Sequence, residues 1–445
     1  MSSPLSVLVG PANLTRRLAP RLLLATFFSI AASLATAAEV PLTLGRAQQQ
    51  AVARSRQLSA QDQAVSSSRE MAIAAGQLPD PVLKVGIDNL PVSGTDKFSL
   101  TKDFMTMRRV GIMQEVTRAD KRRSRAERYE READKLLAAK SVTIADTQRD
   151  TALAWLDRYY AERMVALIAQ QLAEARREIQ AAESAYRGGR GTQADIFNAR
   201  SALAMVEDRQ SDLQRRVQNA KTMLARWIGN DATLPLAGAP AIDKIRFDPA
   251  TLETDFAHHP QIAVMTAQEA VAQAEANVAQ ANRKVDWTVE VAYQQRGPAF
   301  SNMASIGVSI PLQWDQKNRQ DRELAAKLAS VEQAKAERDE MLRDHVATTR
   351  VQIEEWQTDR QRQTRYQREL LPLAYDRTQA TLAAYRGGKA TLTEVLLARR
   401  NEIDVGLQAL QLEWDTARLW AQLNFLYPDD GMAASPATHT TMDTK

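Results

Sequence analysis

The sequence predicts a mainly α-helical chain that carries four β-strands and is built as an internal duplication. Two runs, 112–187 and 312–371, contain neither Gly nor Pro, as long helices require. Four short segments alternate apolar and polar residues, the period of a strand with one wet face. Finally, "AYRGGRGTQADIFNAR" from Ala185 is rewritten as "AYRGGKATLTEVLLAR" from Ala384, 199 residues later, with eight of sixteen positions identical. Self-similarity at a fixed offset marks a repeat.

Bulk composition narrows the classes. The 445 residues carry 58 basic and 54 acidic side chains, a net charge of +4. The two signs interleave along the same segments, so nucleic acid is not the favoured partner. With no cysteine, the chain has no disulfide staples, thiolate metal sites or cysteine nucleophile, and no thiol to acylate, so we expect no lipoprotein. Arg16, Arg17 and Arg21 precede "LLLATFFSIAASLATAAE", with Ala35 and Ala37 as a small-x-small pair. This reads as a cleaved export signal over 1–37.

The elements follow in order. A helix over about 44–76 precedes strands at about 82–90 and 105–116. In the first, Leu83, Val85 and Ile87 alternate with Lys84, Gly86 and Asp88. A helix of about 100 Å then covers 119–187, stopped by Gly188 and Gly189, and another covers 192–228. The second half rewrites this: a helix over about 260–284, strands at about 287–297 and 303–313, then a long helix to Arg386. Pro372 should kink that helix or break its ladder locally. Gly387 and Gly388 stop it, and a final helix spans 391–426. The first repeat is thus 38–240 with its tip at 187–192, the second 241–428 with its tip at 386–391. The segment 429–445 reads as a disordered tail.

Four strands in one chain leave two open edges. Strands with one apolar and one polar face suit an outer-membrane barrel, and three subunits pooling four strands each give an even twelve.

At this point the chain resembles the TolC family of outer-membrane efflux proteins. The resemblance rests on the paired tips, "GQLPDP" before the first strand, "HHPQIAVMTAQEAVAQAEANVAQA" before the third, and "SIGVSIPLQWDQKNR" leaving the fourth. It implies a homotrimer with a twelve-stranded barrel in outer-membrane lipid and an α-helical barrel crossing the periplasm. It also implies that Gly188, Gly189, Arg190, Gly191 and Thr192, with Gly387, Gly388, Lys389, Ala390 and Thr391, contact a periplasmic adaptor protein. Tyr385 and Asp195 match a closing link between the tip hairpins, and Glu394 matches a carboxylate at the narrow entrance. Ala390 stands where some members carry an arginine that reinforces closure, and Leu397 replaces a second acidic residue. The segment "DNLPVSGTDKFSLTKDFMTMRRVGIMQEVTRADKRRSRAERY" resembles the CzcC-like branch. That implies heavy-metal export with an inner-membrane RND-type pump, multidrug efflux or type I secretion being the alternatives.

Other residues invite chemistry without compelling it. Met105, Met107 and Met113 carry thioethers that suit soft metals, but they read better as flexible apolar residues in and beside a strand. Met341 and His345 share a helix face, and His258 and His259 precede Pro260. None of these makes a metal site by itself, and no cofactor is expected. The basic run 118–131 could meet lipid head groups or form a solvated face. A periplasmic coiled-coil adaptor or scaffold would share the helices and the export signal, but not two amphipathic hairpins. No nucleophile motif or phosphate loop suggests an enzyme.

Overall fold

The structure, a computed structural model, describes residues 41–238 and 240–429. The expected export signal and the expected tail beyond residue 429 lie outside them. The first half contains α1 (Leu44–Arg54), α2 (Arg56–Ala75), β1 (Val82–Asp88), β2 (Met107–Val116), α3 (Ala119–Arg187) and α4 (Gln193–Ile228). The second contains α5 (Leu252–Phe256), α6 (Pro260–Asn282), β3 (Trp287–Gln295), β4 (Met303–Ser309), α7 (Gln320–Arg365), α8 (Leu371–Arg386) and α9 (Leu392–Asn424). Among the described residues no helix is long and apolar enough to cross a membrane.

α3 is the spine. Its 69 residues give a rod of about 100 Å. Along it lie α1, α2 and α4 from the first half, and α6 and α9 from the second. Two shorter helices end to end thus match one long one. In the second half α6 and α9 lie along α7, and α9 continues beside α8.

Two local features depart from the expected helices, and a third is the local break expected at Pro372. The helix expected over 44–76 is broken at Ser55, whose backbone is extended. Its N–H closes α1 on the Val52 carbonyl, while its Oγ accepts the Leu58 N–H at 3.3 Å to open α2. One serine is both stop and cap. α7 begins only at Gln320, after a turn containing a hydrogen bond from Asn318 to Asp315. Pro372 is met by a five-residue π-turn, Tyr366–Leu370, between α7 and α8. The wider turn takes the proline ring out of collision with the carbonyl one turn earlier.

The main core surrounds the middle of α3. Trp155, Leu156 and Tyr160 meet Leu224 and Ile228 of α4, Leu252 and Phe256 of α5, Ile353 and Trp356 of α7, and Trp420 and Leu423 of α9. Buried indoles need an acceptor. Trp155 Nε1 donates to the Leu42 carbonyl at 3.1 Å, and Trp420 Nε1 to the Lys244 carbonyl at 2.8 Å. These bonds pin the irregular segments to the helices.

The four strands form one antiparallel sheet in the order β1-β2-β3-β4. Val85 pairs with Val110, Val110 with Tyr293, and Tyr293 with Ala304. The central β2–β3 seam therefore joins the two halves. At that seam Gly111 faces Ala292, and a Cβ on Gly111 would lie 2.8 Å from the Ala292 Cβ.

Candidate functional site

Two regions bear on function: the sheet with its exposed faces, and the paired turns between helices. Most residues on one face of the sheet are apolar and exposed, Arg108, Gln114 and Gln295 near the strand ends being polar. Leu83, Val85, Ile87, Val110, Ile112, Val291, Tyr293, Ile306 and Val308 all lie open, Val85 at 72 % and Ile306 at 78 %. The opposite face carries the charges. Lys84 Nζ lies 2.8 Å from Glu290 Oε2, and Arg109 bridges Glu290 and Asp88. That arrangement inverts a water-soluble sheet, whose charges face solvent and whose apolar residues are covered. Among the described residues, nothing pairs with the outer edges of β1 and β4.

The two turns are built alike. α3 stops at Gly188, then Gly189 takes φ +69°. The Gly189 N–H reaches the Tyr186 carbonyl and the Arg190 N–H the Ala185 carbonyl. At the end of α8, Gly388 takes φ +71°, with its N–H on the Tyr385 carbonyl and that of Lys389 on the Ala384 carbonyl. This left-handed helix ending favours glycine. The next helix starts with a threonine cap. Thr192 Oγ1 accepts from the Asp195 N–H at 3.3 Å, while the Thr192 N–H donates to Asp195 Oδ2 at 2.8 Å. Thr391 and Glu394 repeat the arrangement at 3.3 and 2.7 Å. Both are capping boxes. Above them an apolar layer draws Ala182, Ala199, Leu392 and Val395 from three helices, with Leu382 and Tyr385 of α8 against it.

No protein-family model matches the chain. The cobalt-zinc-cadmium resistance protein CzcC of Cupriavidus metallidurans is 24 % identical over 365 residues, covering 81 % of this chain and 84 % of that protein. Among solved structures, the outer-membrane channel OprN matches with a TM-score of 0.73 at 17 % identity, over 87 % of this chain and 90 % of the other. CusC matches at 0.75 and 15 % identity, over 88 % and 93 %. The outer-membrane protein VceC of Vibrio cholerae matches at 0.69 and 17 %, over 86 % and 95 %. The chain thus shares the fold of solved outer-membrane channels and is similar in sequence to CzcC.

Within this fold the residues singled out from sequence fall as follows. Asp195 and Glu394 occupy equivalent capping-box positions, so each carboxylate already holds a helix start. Hydrogen bonds from the Thr391 backbone N–H and then from its hydroxyl hold the Glu394 carboxyl below its ordinary value. Tyr385 packs against the apolar layer, and among the described residues no hydrogen bond joins it to Asp195. Arg190, Gly191, Lys389 and Ala390 fill the turns, Arg190 and Lys389 being exposed. Leu397 is exposed.

The metal-tempting residues do not assemble. Met107 and Met113 lie at opposite ends of the charged face of β2, about 20 Å apart at the strand rise. No cluster of three or more His, Asp or Glu able to hold a metal ion occurs among the described residues. The structure does, however, bring together two histidines that sequence left separate. His259 and His345 lie with ring centroids 5.0 Å apart, beside Phe256 and Tyr427. His259 caps α6, its Nδ1 accepting the Gln261 N–H at 3.3 Å. Burial, reinforced by the neighbouring His345, pushes its pKa down to about 4. No spacing rule links positions 259 and 345, so sequence held no signal for this pair.

Proposed function

We propose that this protein is the outer-membrane channel of a tripartite efflux pump, a passive conduit through outer membrane and periplasm of a Gram-negative cell. The observation that carries the reading is the inverted sheet with two unpaired edges. In a trimer, β4 of one copy pairs with β1 of the next, closing twelve strands into a barrel. The apolar face then meets lipid, and Lys84, Asp88, Arg109 and Glu290 line the lumen. The helices continue the tube to the paired turns, where the adaptor docks and an RND-type pump delivers cargo. The similarity to CzcC, named for cobalt, zinc and cadmium resistance, supports heavy-metal cations as the cargo.

Closure at the tip uses Tyr385 and Asp195. Both capping bonds to Asp195 end on Oδ2, which leaves Oδ1 to accept the phenol without opening the box. Such a charge-assisted bond is strong yet breaks when helices shift. Three copies of Glu394 would ring the entrance with negative charge, attracting cations. Replacing Tyr385 with Phe, or Asp195 with Ala, should raise single-channel conductance in planar bilayers. No rise in either variant would exclude the link. For the whole reading, outer-membrane fractions should contain heat-modifiable trimers. A strain lacking the protein should become selectively sensitive to zinc, cobalt or cadmium and recover on complementation. Sensitivity confined to drugs would reassign the cargo, and a soluble periplasmic protein would overturn the channel.

A further inference from the structure

Arg399 sits on α9 only eight residues past the Thr391 cap, about 12 Å along the helix, yet it is 7 % exposed. All three guanidinium nitrogens meet carboxylates. Nε lies 3.3 Å from Glu178 Oε1, Nη2 3.2 Å from Glu174 Oε2 and Nη1 3.0 Å from Glu402 Oε2. Glu174 and Glu178 belong to α3, in the first repeat. Glu402 is one turn further along α9.

The repeat supplies an internal control. Arg200 occupies the same place in the first line of the duplication, 199 residues earlier. It pairs with Glu183 at 3.0 Å, within its own hairpin and with its side chain 59 % exposed. One position has thus become a surface pair in one half and a buried bridge between halves in the other. The α3–α9 joint carries further ion pairs, Arg163 with Glu413 and Arg418 with Asp157, but those arginines are partly solvated. Arg399 is the cation at the tip end of the joint.

The chemistry of the cluster is lopsided. Three carboxylates surround one guanidinium, and burial raises the Glu178 carboxyl above its ordinary value, the charge of Arg399 pulling the other way. Remove the arginine, and Glu178 and Glu402, whose side chains are 10 % and 15 % exposed, lose their cation, while the more open Glu174 keeps Arg177 at 3.1 Å. A groove of about 950 Å³, lined by Glu178, Arg399, Met205, Arg209 and Asp212 among others, flanks the cluster. The helices therefore have space to move on that side.

We propose that Arg399 is the positioning residue of the tip, locking the α8–α9 hairpin to α3, and that loss of this lock frees the second hairpin to move against the first. The consequence for conductance rests on the conduit reading above; the mechanical lock does not.

The cysteine-free chain allows a direct test on the full-length protein. Spin labels at Arg187→Cys and Arg386→Cys, both exposed tip positions, report the distance between the two turns by double electron–electron resonance. Labelled protein is diluted with unlabelled protein so that pairs within one protomer dominate. In Arg399→Ala a second population should emerge, displaced by about 5 Å, the size of a one-turn helix slide, and bilayer conductance should rise. Arg399→Lys, which keeps the charge but not the three-way fork, should give a smaller second population and carries the test if the alanine variant fails to assemble. Glu178→Gln should stay at the parent distance, because two carboxylates still hold the arginine. The exchange Glu178→Arg with Arg399→Glu should restore it, a rescue that a merely destabilised tip would not show. Arg200→Ala should move nothing. An unchanged distance in both Arg399 variants, or an equal shift in Arg200→Ala, would overturn the lock. If the parent protein carries no current while Arg399→Ala still displaces the turns, the conduit fails and the lock stands. Current with unmoved turns gives the reverse.

Discussion

The two tips share a backbone and differ in what their helices are tied to. Both have the same left-handed glycine, threonine cap and carboxylate closing the box. Two turns past the cap the halves part company. Arg200 stays in water on its own hairpin, whereas Arg399 is buried against the other repeat. Duplication therefore preserved the part that only the local chain determines. Divergence fell where the neighbouring helix decides. A turn is specified by its own residues, but a buried ion cluster is specified by whatever packs over it.

The largest test of that contrast is stability. Removing one partner of a buried charge pair costs about 3–5 kcal/mol, against at most about 1 kcal/mol for an exposed pair. In urea melts of the helical signal, Arg399→Ala should therefore lose far more than Arg200→Ala. Equal losses would dissolve the distinction between the tips.

Next comes pH, through a histidine found in the second half alone. His259 is neutral in the fold, with its pKa near 4 against an unfolded 6.5. Its contribution is complete above pH 6.5 and is lost as pH falls towards 4, by up to about 3 kcal/mol on linkage. Its surroundings are Phe256, His345 and Tyr427, with Asp344 acting on His345. His259→Phe should flatten the decline in melting temperature between pH 6.5 and 4, while costing some stability at pH 7.5 through the lost cap to Gln261. An undiminished decline would assign the acid sensitivity elsewhere.

The smallest effect should be the same in both tips. Gly189→Ala and Gly388→Ala meet no atom within 4 Å, so only the positive φ resists them, at about 1–2 kcal/mol each. Matched losses would show that the turns remain interchangeable, and a mismatch would mean the divergence reaches the turns themselves.

Much of the architecture was legible because glycine and proline punctuate it. The helix Ala119–Arg187 and the alternation in β1 and β3 follow from local pattern. Elsewhere other residues do that work. Ser55 ends a helix by hydrogen bonding where neither punctuating residue is present, and the run from Leu312 to Arg319 is free of both yet not helical. At the candidate site, sequence marked the turns, Tyr385, Asp195 and Glu394, but not the capping role of the two carboxylates. It also could not separate Arg399 from Arg200, since Glu178 and Glu174 arrive from more than 200 residues away. His259 and His345 escaped for the same reason.

The β2–β3 seam also sets a timetable. Val110 must find Tyr293, a partner 183 positions downstream. At synthesis rates of about 5–20 residues per second, roughly 10–40 s separate the emergence of the two strands. For that interval the first hairpin exists with its apolar face bare and its seam unfilled. Non-local pairing of this kind is slow and exposed to aggregation. Arrival of β3 satisfies the open backbone edge of β2 but covers none of Leu83, Val85 and Ile112, which stay exposed in the complete sheet.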